Sequence, residues 1–589
     1  MAAPVGFVRQ LHGLQRIVPP TAARAVALAL LRRLAKQAAP RLKMPRYRLP
    51  IPLRAQKTVD GIAGFLLARP LEEAAYYLSC VYAVLCDPNE RRELAMHFTP
   101  PTLARHIVES VSRETSSFTE LRFMDPACGG AAFLLPVVVE LRDLLRKRKA
   151  SATDIIRAVN KQVFGVEKNP VLAELSRQFI RIALADELTA CRLELGSVVR
   201  VGNSLDLFAK KKLPRVNVLL CNPPYRKIRA AELAWYRRRF PEVITGQPNL
   251  YTMFMRAATE LVVPGGVIAL LTPTSYFSGP TYERIRARYA RDCSILRVDL
   301  IHERDNLFLG VEHDVAALLA RPRLLAPAHQ TPEVFGWNEL DGWTSLGSVV
   351  LPKDGAPWHL PRDASTAGAL SLSKRTSSSL AKYGYKARIG VYVWNRDKRK
   401  TRRRRPRLSK DRNSVVPVIW ATQIGQDGKF RFISRSQKEK RARYILLRRG
   451  DRRGVIERDC VVLQRTSSPA QRRRLVAAVL PRGFAKKYGG FVGENHTVIL
   501  EPTSGRPPVS RRTLVRLLNS DFIRDLYSTT TGTTAVTTAG LSALPLPDPH
   551  LLKGLIARRH SLRQAIRAAF GLRIAVERTS KGDAKAAAL

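Results

Sequence analysis

Val216-Asn217-Val218-Leu219-Leu220-Cys221-Asn222-Pro223-Pro224-Tyr225 is the stretch that decides the fold. A short apolar run closed by a turn reads as a buried strand. The Asn-Pro-Pro-Tyr that ends it suits one chemical task, holding a planar exocyclic amine so that its nitrogen can attack a methyl group. The Asn222 side-chain oxygen and the Pro223 carbonyl can accept the amine's two hydrogens. Pro223 and Pro224 stiffen the turn because their φ is already set, and Tyr225 offers a flat face to a ring. The same grammar extends outward in both directions. Strands are predicted at 123–124, 163–166 and 267–272, alternating with helices at 131–146, 170–185 and 251–262. Such alternation implies an α/β fold, a mostly parallel sheet with helices on both faces. Ligands of such sheets bind beyond the carboxyl ends of the strands, where every motif noted below falls.

The charge points to a polyanionic partner. The 589 residues carry 100 Lys+Arg against 48 Asp+Glu, a net +52 with pI ≈ 11.0. Nucleic acid is the first candidate, since each neutralised phosphate releases counterion. No apolar run approaches the roughly 18 residues of a spanning helix, so no membrane partner is expected. Cys80, Cys86, Cys128, Cys191, Cys221, Cys293 and Cys460 form no CxxC pairs. Zinc and a disulfide framework are therefore unsupported, no metal is expected, and a reducing cytoplasm fits. The first 59 residues contain no Asp or Glu but many arginines. Such a start reads as an organelle transit peptide or as a basic arm lying on phosphates, and the basicity of the whole chain favours the arm.

The length suggests two or three domains. After Ala320 prolines punctuate a segment of little periodicity, followed by the basic runs 398–400 and 402–405. Beyond them, strands are predicted at 415–420, 461–464 and 497–500, and helices at 511–518 and 551–570. This is a second domain.

Asp125-Pro126-Ala127-Cys128-Gly129-Gly130-Ala131-Ala132-Phe133-Leu134 is a strand-to-helix turn whose small residues allow close backbone approach to a ligand. Together with the Asn222 tetrapeptide it resembles the TaqI-type (gamma-class) N6-adenine DNA methyltransferases, and most closely the XamI-type restriction-modification methylases. The resemblance spans roughly residues 93 to 548. It implies a Rossmann-like class I methyltransferase domain using S-adenosylmethionine, with Asn222, Pro223, Pro224 and Tyr225 catalytic. It implies cofactor contacts from Thr99 and Pro100 in the segment His97-Phe98-Thr99-Pro100-Pro101, and from Asp125, Ala127 and Gly129 in the turn. Glu167 would take the ribose hydroxyls, and Asn203 and Ser204 the adenine amine through the Asn203 amide oxygen; Asn222 also borders the cofactor. The family's usual Gly is Ala131 here, and its usual Asp is Asn203. Tyr225 and Phe308 would hold the flipped base. Trp394, Asn395 and Arg396 would contact DNA in a mixed α+β target-recognition domain. His496 lacks metal-ligand companions and is a polar contact or packing residue.

The domain plan that follows is a basic arm at 1–56, a catalytic domain with N-terminal helices at 57–325, a recognition domain at 326–575 and a disordered tail at 576–589. The expected function is methyl transfer to the N6 amine of an adenine flipped out of double-stranded DNA, by a monomer in the bacterial cytoplasm at the nucleoid. A cognate restriction endonuclease is its natural companion. The segment ahead of His97 is too short for a fused nuclease. The alternatives are a DNA-binding specificity subunit with a degenerate cofactor pocket, or an RNA base methyltransferase.

Overall fold

Short apolar segments separated by helices assemble into one sheet. A computed structural model describes residues 4–47, 50–246, 248–301, 314–323, 331–338, 342–362, 366, 370, 377–402, 415–432, 443–447, 452–466, 475–529 and 535–571. The strands are β1 (Phe123–Asp125), β2 (Val163–Glu167), β3 (Val199–Val201), β4 (Val216–Cys221), β5 (Val262–Pro273), β6 (Cys293–Ile301), β7 (Val315–Pro322), β8 (Glu333–Asn338) and β9 (Gly342–Ser348). Their order is β3-β2-β1-β4-β5-β7-β6-β8-β9. β1 to β5 pair in parallel, whereas β7 runs antiparallel to both β5 and β6. The central β4 is buried at every position but Asn217, as an apolar run covered on both faces requires.

Helices α1 (Val5–Ile17), α2 (Ala23–Ala38), α3 (Gln56–Leu67), α4 (Leu71–Leu85), α5 (Pro88–Leu94) and α6 (Pro101–Arg113) precede the sheet. Between its strands lie α7 (Leu134–Lys147), α8 (Ala152–Gln162), α9 (Pro170–Ala183), α10 (Ala185–Ala190), α11 (Ser204–Ala209), α12 (Ala230–Arg239), α13 (Tyr251–Leu261) and α14 (Glu283–Asp292). Side-chain caps start several of them. Asn169 accepts from the backbone N–H groups of Val171 and Leu172, with Pro170 at the first helical position where no N–H is needed. Among the described residues no helix is long and apolar enough to cross a membrane.

Two expected boundaries move. The stretch 1–56, read as an arm, folds over most of its length as α1 and α2. Phe7, Leu11 and Leu14 of α1 and Val26, Leu30, Leu31 and Leu34 of α2 are buried in the same core as the sheet. Phe7 stacks on Phe65 of α3 with ring centroids 4.4 Å apart. Apolar spacing of three and four residues closed these helices onto α3, α4 and α9, and the arginines remain on the opposite face. The catalytic unit also runs past 325. β8 pairs in parallel with β6, and β9 returns antiparallel beside it, so the chain divides between Trp358 and His359. Alternation in β8 and β9 is broken by Gly336 and by a register shift after Val334, which hid both strands. The tail 576–589 lies outside the described residues.

A buried ionic cluster ties β6 to α6. Asp299 on β6 is fully buried and accepts from Arg297 Nε at 2.6 Å, with His106 Nε2 of α6 at 2.9 Å from its other oxygen. Trp343 of β9 stacks on His106 at 3.9 Å, and the Arg297 guanidinium lies 3.6 Å over the Phe335 ring of β8. The two extra strands thus cover a charge cluster.

The second unit is mixed α and β. Strands β11 (Tyr385–Ile389), β15 (Val461–Gln464), β16 (Ala477–Val479) and β18 (Thr497–Pro502) form an antiparallel sheet in the order β11-β18-β15-β16. A second sheet joins β12 (Thr401–Arg402), β13 (Val415–Ile419), β14 (Tyr444–Leu446) and β17 (Val492–Gly493), and β10 (Ser377–Ser378) pairs with β19 (Leu546–Pro547). The expected helix at 511–518 is present as Arg511–Leu518, whereas 551–570 is two helices, Pro549–Ala557 and Leu562–Ala569.

Removing the carboxylate of the buried cluster leaves Arg297 without its ionic partner. Asp299→Ala is expected to lower unfolding free energy by about 3–5 kcal/mol, read from urea denaturation of wild type and variant side by side.

Candidate active site

The turn after β1 is shaped by what fits against it. Gly129 has φ +52°, and a Cβ there would lie 3.3 Å from the Phe98 ring. At Gly130 a Cβ would fall 1.8 Å from Ser79 Oγ of α4, so glycine alone lets that helix press on the turn. Ala131 follows at φ +63°, a conformation that favours glycine. Its methyl lines a separate, smaller cavity with Tyr76 and Ser79 rather than the main cleft. The extra methyl therefore does not narrow the cleft in which the site residues gather.

Glu167 closes β2 and is 9% exposed. One of its oxygens accepts from the Gly129 N–H at 2.9 Å and the other from the Asn169 N–H at 2.7 Å. Burial raises its carboxyl above the usual range, against the pull of these N–H groups. Each oxygen keeps a further lone pair, so the carboxylate can still accept from a ligand hydroxyl.

A solvent-open cleft of about 790 Å³ lies at the carboxyl ends of the strands. It is lined by Ala127, Gly129, Glu167, Asn203, Ser204 and Asn222, all expected there, and by Pro224. His97, Leu250 and Phe254 complete its walls. Leu250 and Phe254 were not anticipated, because an apolar pair beginning a helix carries no signal that separates a ligand wall from core. Thr99, Pro100, Asp125, Pro223 and Tyr225 do not line the cleft; they stand behind it or beside it.

Asp125 is 1% exposed, and its Oδ1 accepts from the Ala127 N–H at 3.0 Å. Burial pushes its carboxyl up to about 8. Asp125, expected at the cofactor, stands beneath the turn at the last position of β1, beside Cys221, and does not line the cleft. Asn203 also departs from expectation. Its Oδ1 accepts from the N–H groups of Leu205 at 3.1 Å and Asp206 at 3.4 Å, capping α11. The oxygen expected to take an adenine amine is thus committed to the helix, and the atom left over is an N–H donor. Aspartate would keep a second oxygen; asparagine does not.

Asn222 is held from one side. Its Nδ2 donates to Thr99 Oγ1 at 3.0 Å and to the His97 carbonyl at 3.3 Å. Its Oδ1 is consequently the end turned to a ligand. Tyr225 donates through its hydroxyl to the Leu271 carbonyl at 3.0 Å, which pins the ring, and burial raises the phenol well above its ordinary value. The Tyr251 ring meets it edge-on at 6.4 Å. Behind it, Arg226 forks onto Glu232 with both contacts at 2.8 Å, which pulls that carboxyl down to about 2.

The remaining expected contacts lie elsewhere. Trp394, Asn395 and Arg396 are exposed in the second unit, and Phe308 falls outside the described residues. Among the described residues no group of His, Cys, Asp and Glu could hold a metal.

The first unit is a Rossmann-like, mostly parallel sheet in the order β3-β2-β1-β4-β5-β7-β6-β8-β9. Residues 81–321 match the family described as N-6 DNA Methylase, spanning the sheet from α4 to β7. The chain is similar to the Type II methyltransferase M.XhoI of Xanthomonas vasicola, 25% identical over 348 residues, which are 52% of this chain and 60% of that protein. It is similar too to the Type II methyltransferase M.BanIII of Aneurinibacillus aneurinilyticus, 26% identical over 219 residues, or 36% and 35% of the two chains. The chain thus spans 60% or less of the length of these curated relatives. Among solved structures, the Type IIL restriction-modification enzyme MmeI in complex with DNA shares the fold with a TM-score of 0.54 at 12% identity, over 93% of this chain and 88% of that one.

Gly130→Ala should cost about 1–3 kcal/mol by forcing α4 off the turn. Adding Ser79→Gly should recover most of that in thermal melts, because it removes the colliding atoms. A carboxyl raised to about 8 in the fold stabilises fully only below its unfolded value near 4, and that contribution is lost as pH rises through 8. Asp125→Asn should therefore flatten the fall in stability between those pH values. Urea midpoints of both proteins across that range measure it, with a difference in slope of at most about 1.4 kcal/mol per pH unit.

Proposed function

We propose that this protein transfers a methyl group from S-adenosylmethionine to the N6 amine of an adenine in double-stranded DNA, as the modification enzyme of a restriction-modification system. The observation that carries the reading is the fixed amide of Asn222. With Nδ2 committed to Thr99 and His97, Oδ1 is an acceptor that needs no reorientation when a planar amine arrives. The Pro223 carbonyl accepts the second hydrogen. Drawing both hydrogens into these acceptors moves the nitrogen lone pair out of conjugation with the ring. Catalysis then rests on positioning and preorganised dipoles, with no covalent intermediate on the protein. The pinned Tyr225 ring stacks on the base. An amine inside a duplex is out of reach, so the adenine is flipped out at a cost of about a few kcal/mol.

The cleft fits the methyl donor in volume and donor set: Glu167 for the ribose hydroxyls, the Ala127 to Gly129 turn for close backbone approach, Ser204 and Asn203 at the far end. When bound, S-adenosylmethionine supplies an activated methyl group. The order of motifs along the chain supports a TaqI-type assignment near the XamI-type methylases. Residues 359–571 would form the recognition unit, working with 1–358 as a monomer. The acid-free face of α1 and α2, with Arg9, Arg16, Arg24, Arg32 and Lys36 exposed, would lie on phosphates rather than act as a free arm. A cognate endonuclease is the partner such an enzyme protects against. The committed oxygen of Asn203 favours one second reading, a specificity subunit that does not bind the cofactor.

Asn222→Ala should lower methylation of plasmid DNA at least about 100-fold while DNA affinity changes less than about 3-fold. Unchanged activity would remove Asn222 from the mechanism. Calorimetric titration of S-adenosylmethionine into the wild-type protein should give a heat of binding, and none is expected of the specificity subunit.

A further inference from the structure

A buried carboxylate in the second unit holds an exposed imidazole in one orientation. Glu494 is 1% exposed, and among the described residues its ionic partner is His496. Its Oε1 lies 2.5 Å from His496 Nδ1, and its Oε2 accepts from the His496 backbone N–H at 3.0 Å. Nearly half of the His496 side chain remains open to solvent. One carboxylate oxygen thus serves the turn and the other serves the ring, while the Glu494 backbone carbonyl accepts from the Thr497 N–H at 2.8 Å and from its hydroxyl at 2.6 Å. Burying an acid is costly unless it is paired and hydrogen-bonded, so fixing a surface ring this way calls for a use of that ring.

The surroundings indicate the use. Tyr392 pairs in parallel with Glu494, and Asn495 donates its N–H to the Tyr392 carbonyl at 2.9 Å. Two residues past that pairing, one segment presents Trp394, 66% exposed, and the other presents His496. Arg396, Lys398 and Arg453 then line a concavity of about 960 Å³. An exposed aromatic and an oriented polar ring on paired segments, with a hollow in which Arg396, Lys398, Arg399 and Arg453 outnumber Asp397, suit a nucleic acid better than a protein.

We propose that His496 reads one base of the DNA recognition sequence. With Glu494 taking the hydrogen of Nδ1, Nε2 is the ring nitrogen left to meet a base, and in the neutral ring it is an acceptor. An acceptor takes an exocyclic amine, so the base read is adenine through N6 or cytosine through N4 in the major groove. Glu494 is a positioning residue. This rests on the reading of the protein as a DNA methyltransferase whose second unit meets the target.

The carboxylate can be tested without removing the ring. Glu494→Gln keeps the shape but must place its NH2 toward either the His496 backbone N–H or the ring. The backbone N–H cannot become an acceptor, whereas the ring can shift its proton. The variant ring then carries its hydrogen on Nε2 and turns from acceptor to donor, favouring guanine or thymine at the same position. Wild type, His496→Phe and Glu494→Gln would each be expressed in cells and their methylated sites mapped by modification-sensitive sequencing. His496→Phe should lose about 10- to 100-fold discrimination at one position of the motif, leaving the others intact. Glu494→Gln should shift that same position toward guanine or thymine. An unchanged motif in His496→Phe overturns the proposal, as does a Glu494→Gln motif identical to that of wild type. If either variant yields no mapped sites, purified protein is titrated onto duplexes carrying each base at that position, and equal loss of affinity for all four overturns the proposal. Absence of adenine methylation in wild type is a different result, and it would remove the activity itself.

Discussion

The side-chain amide of Asn222 has a donor end and an acceptor end, and the 97–99 segment occupies the donor end. That contact joins two parts of the chain more than a hundred residues apart in sequence. It requires α6 to begin where it does, since Pro100 and Pro101 turn the chain from the Thr99 contact into the helix. It requires β4 to stop at Cys221, where the proline pair ends the ladder. An amide free to rotate would present nitrogen or oxygen to an arriving amine; this one presents oxygen.

Carboxylates end two neighbouring central strands, and their fates differ for a stated reason. Asp125 lies under its own turn and away from the cleft, with burial dominating its ionisation. Glu167, one methylene longer and on the adjacent strand, reaches N–H groups of two different turns and still borders the open cleft. The acids that end these two strands thus divide into one that braces the turn and one able to meet a ligand. The difference is one of reach, set by the register in which Asp125 pairs with Gly165, two residues short of Glu167.

Much of this was legible in the chain. The run 216–221 and the tetrapeptide after it located the central strand and its site, because a buried parallel strand must be apolar and prolines must interrupt it. Ala127, Gly129, Glu167, Ser204 and Asn222 reach the cleft because each sits at a strand end, which period and turn residues mark. Asn203 reaches it too, but with its oxygen committed to capping α11, a role that asparagine commonly takes just before a helix. The arginine-rich start misled in a different way. Charge described the exposed face of α1 and α2, while Phe7, Leu11 and Leu14 decided the fold. β8 and β9 were invisible because Gly336 and the register shift after Val334 interrupt their alternation.

Two polar groups in separate units follow one rule. Asn222 and His496 are each ambiguous in isolation, since an amide can flip and an imidazole can carry its proton on either nitrogen. Each is made definite by a neighbour that accepts or donates in only one sense. The His97 carbonyl, which can only accept, fixes the amide while Thr99 takes its other hydrogen, and the Glu494 carboxylate takes the hydrogen of the ring. Preorganisation of this kind reduces the reorientation needed when a ligand arrives, which is where fixed dipoles exceed water as partners. It also explains why the residues behind the contacts matter as much as those in them: the specificity of an amide or an imidazole lies in the atom that its neighbour leaves exposed.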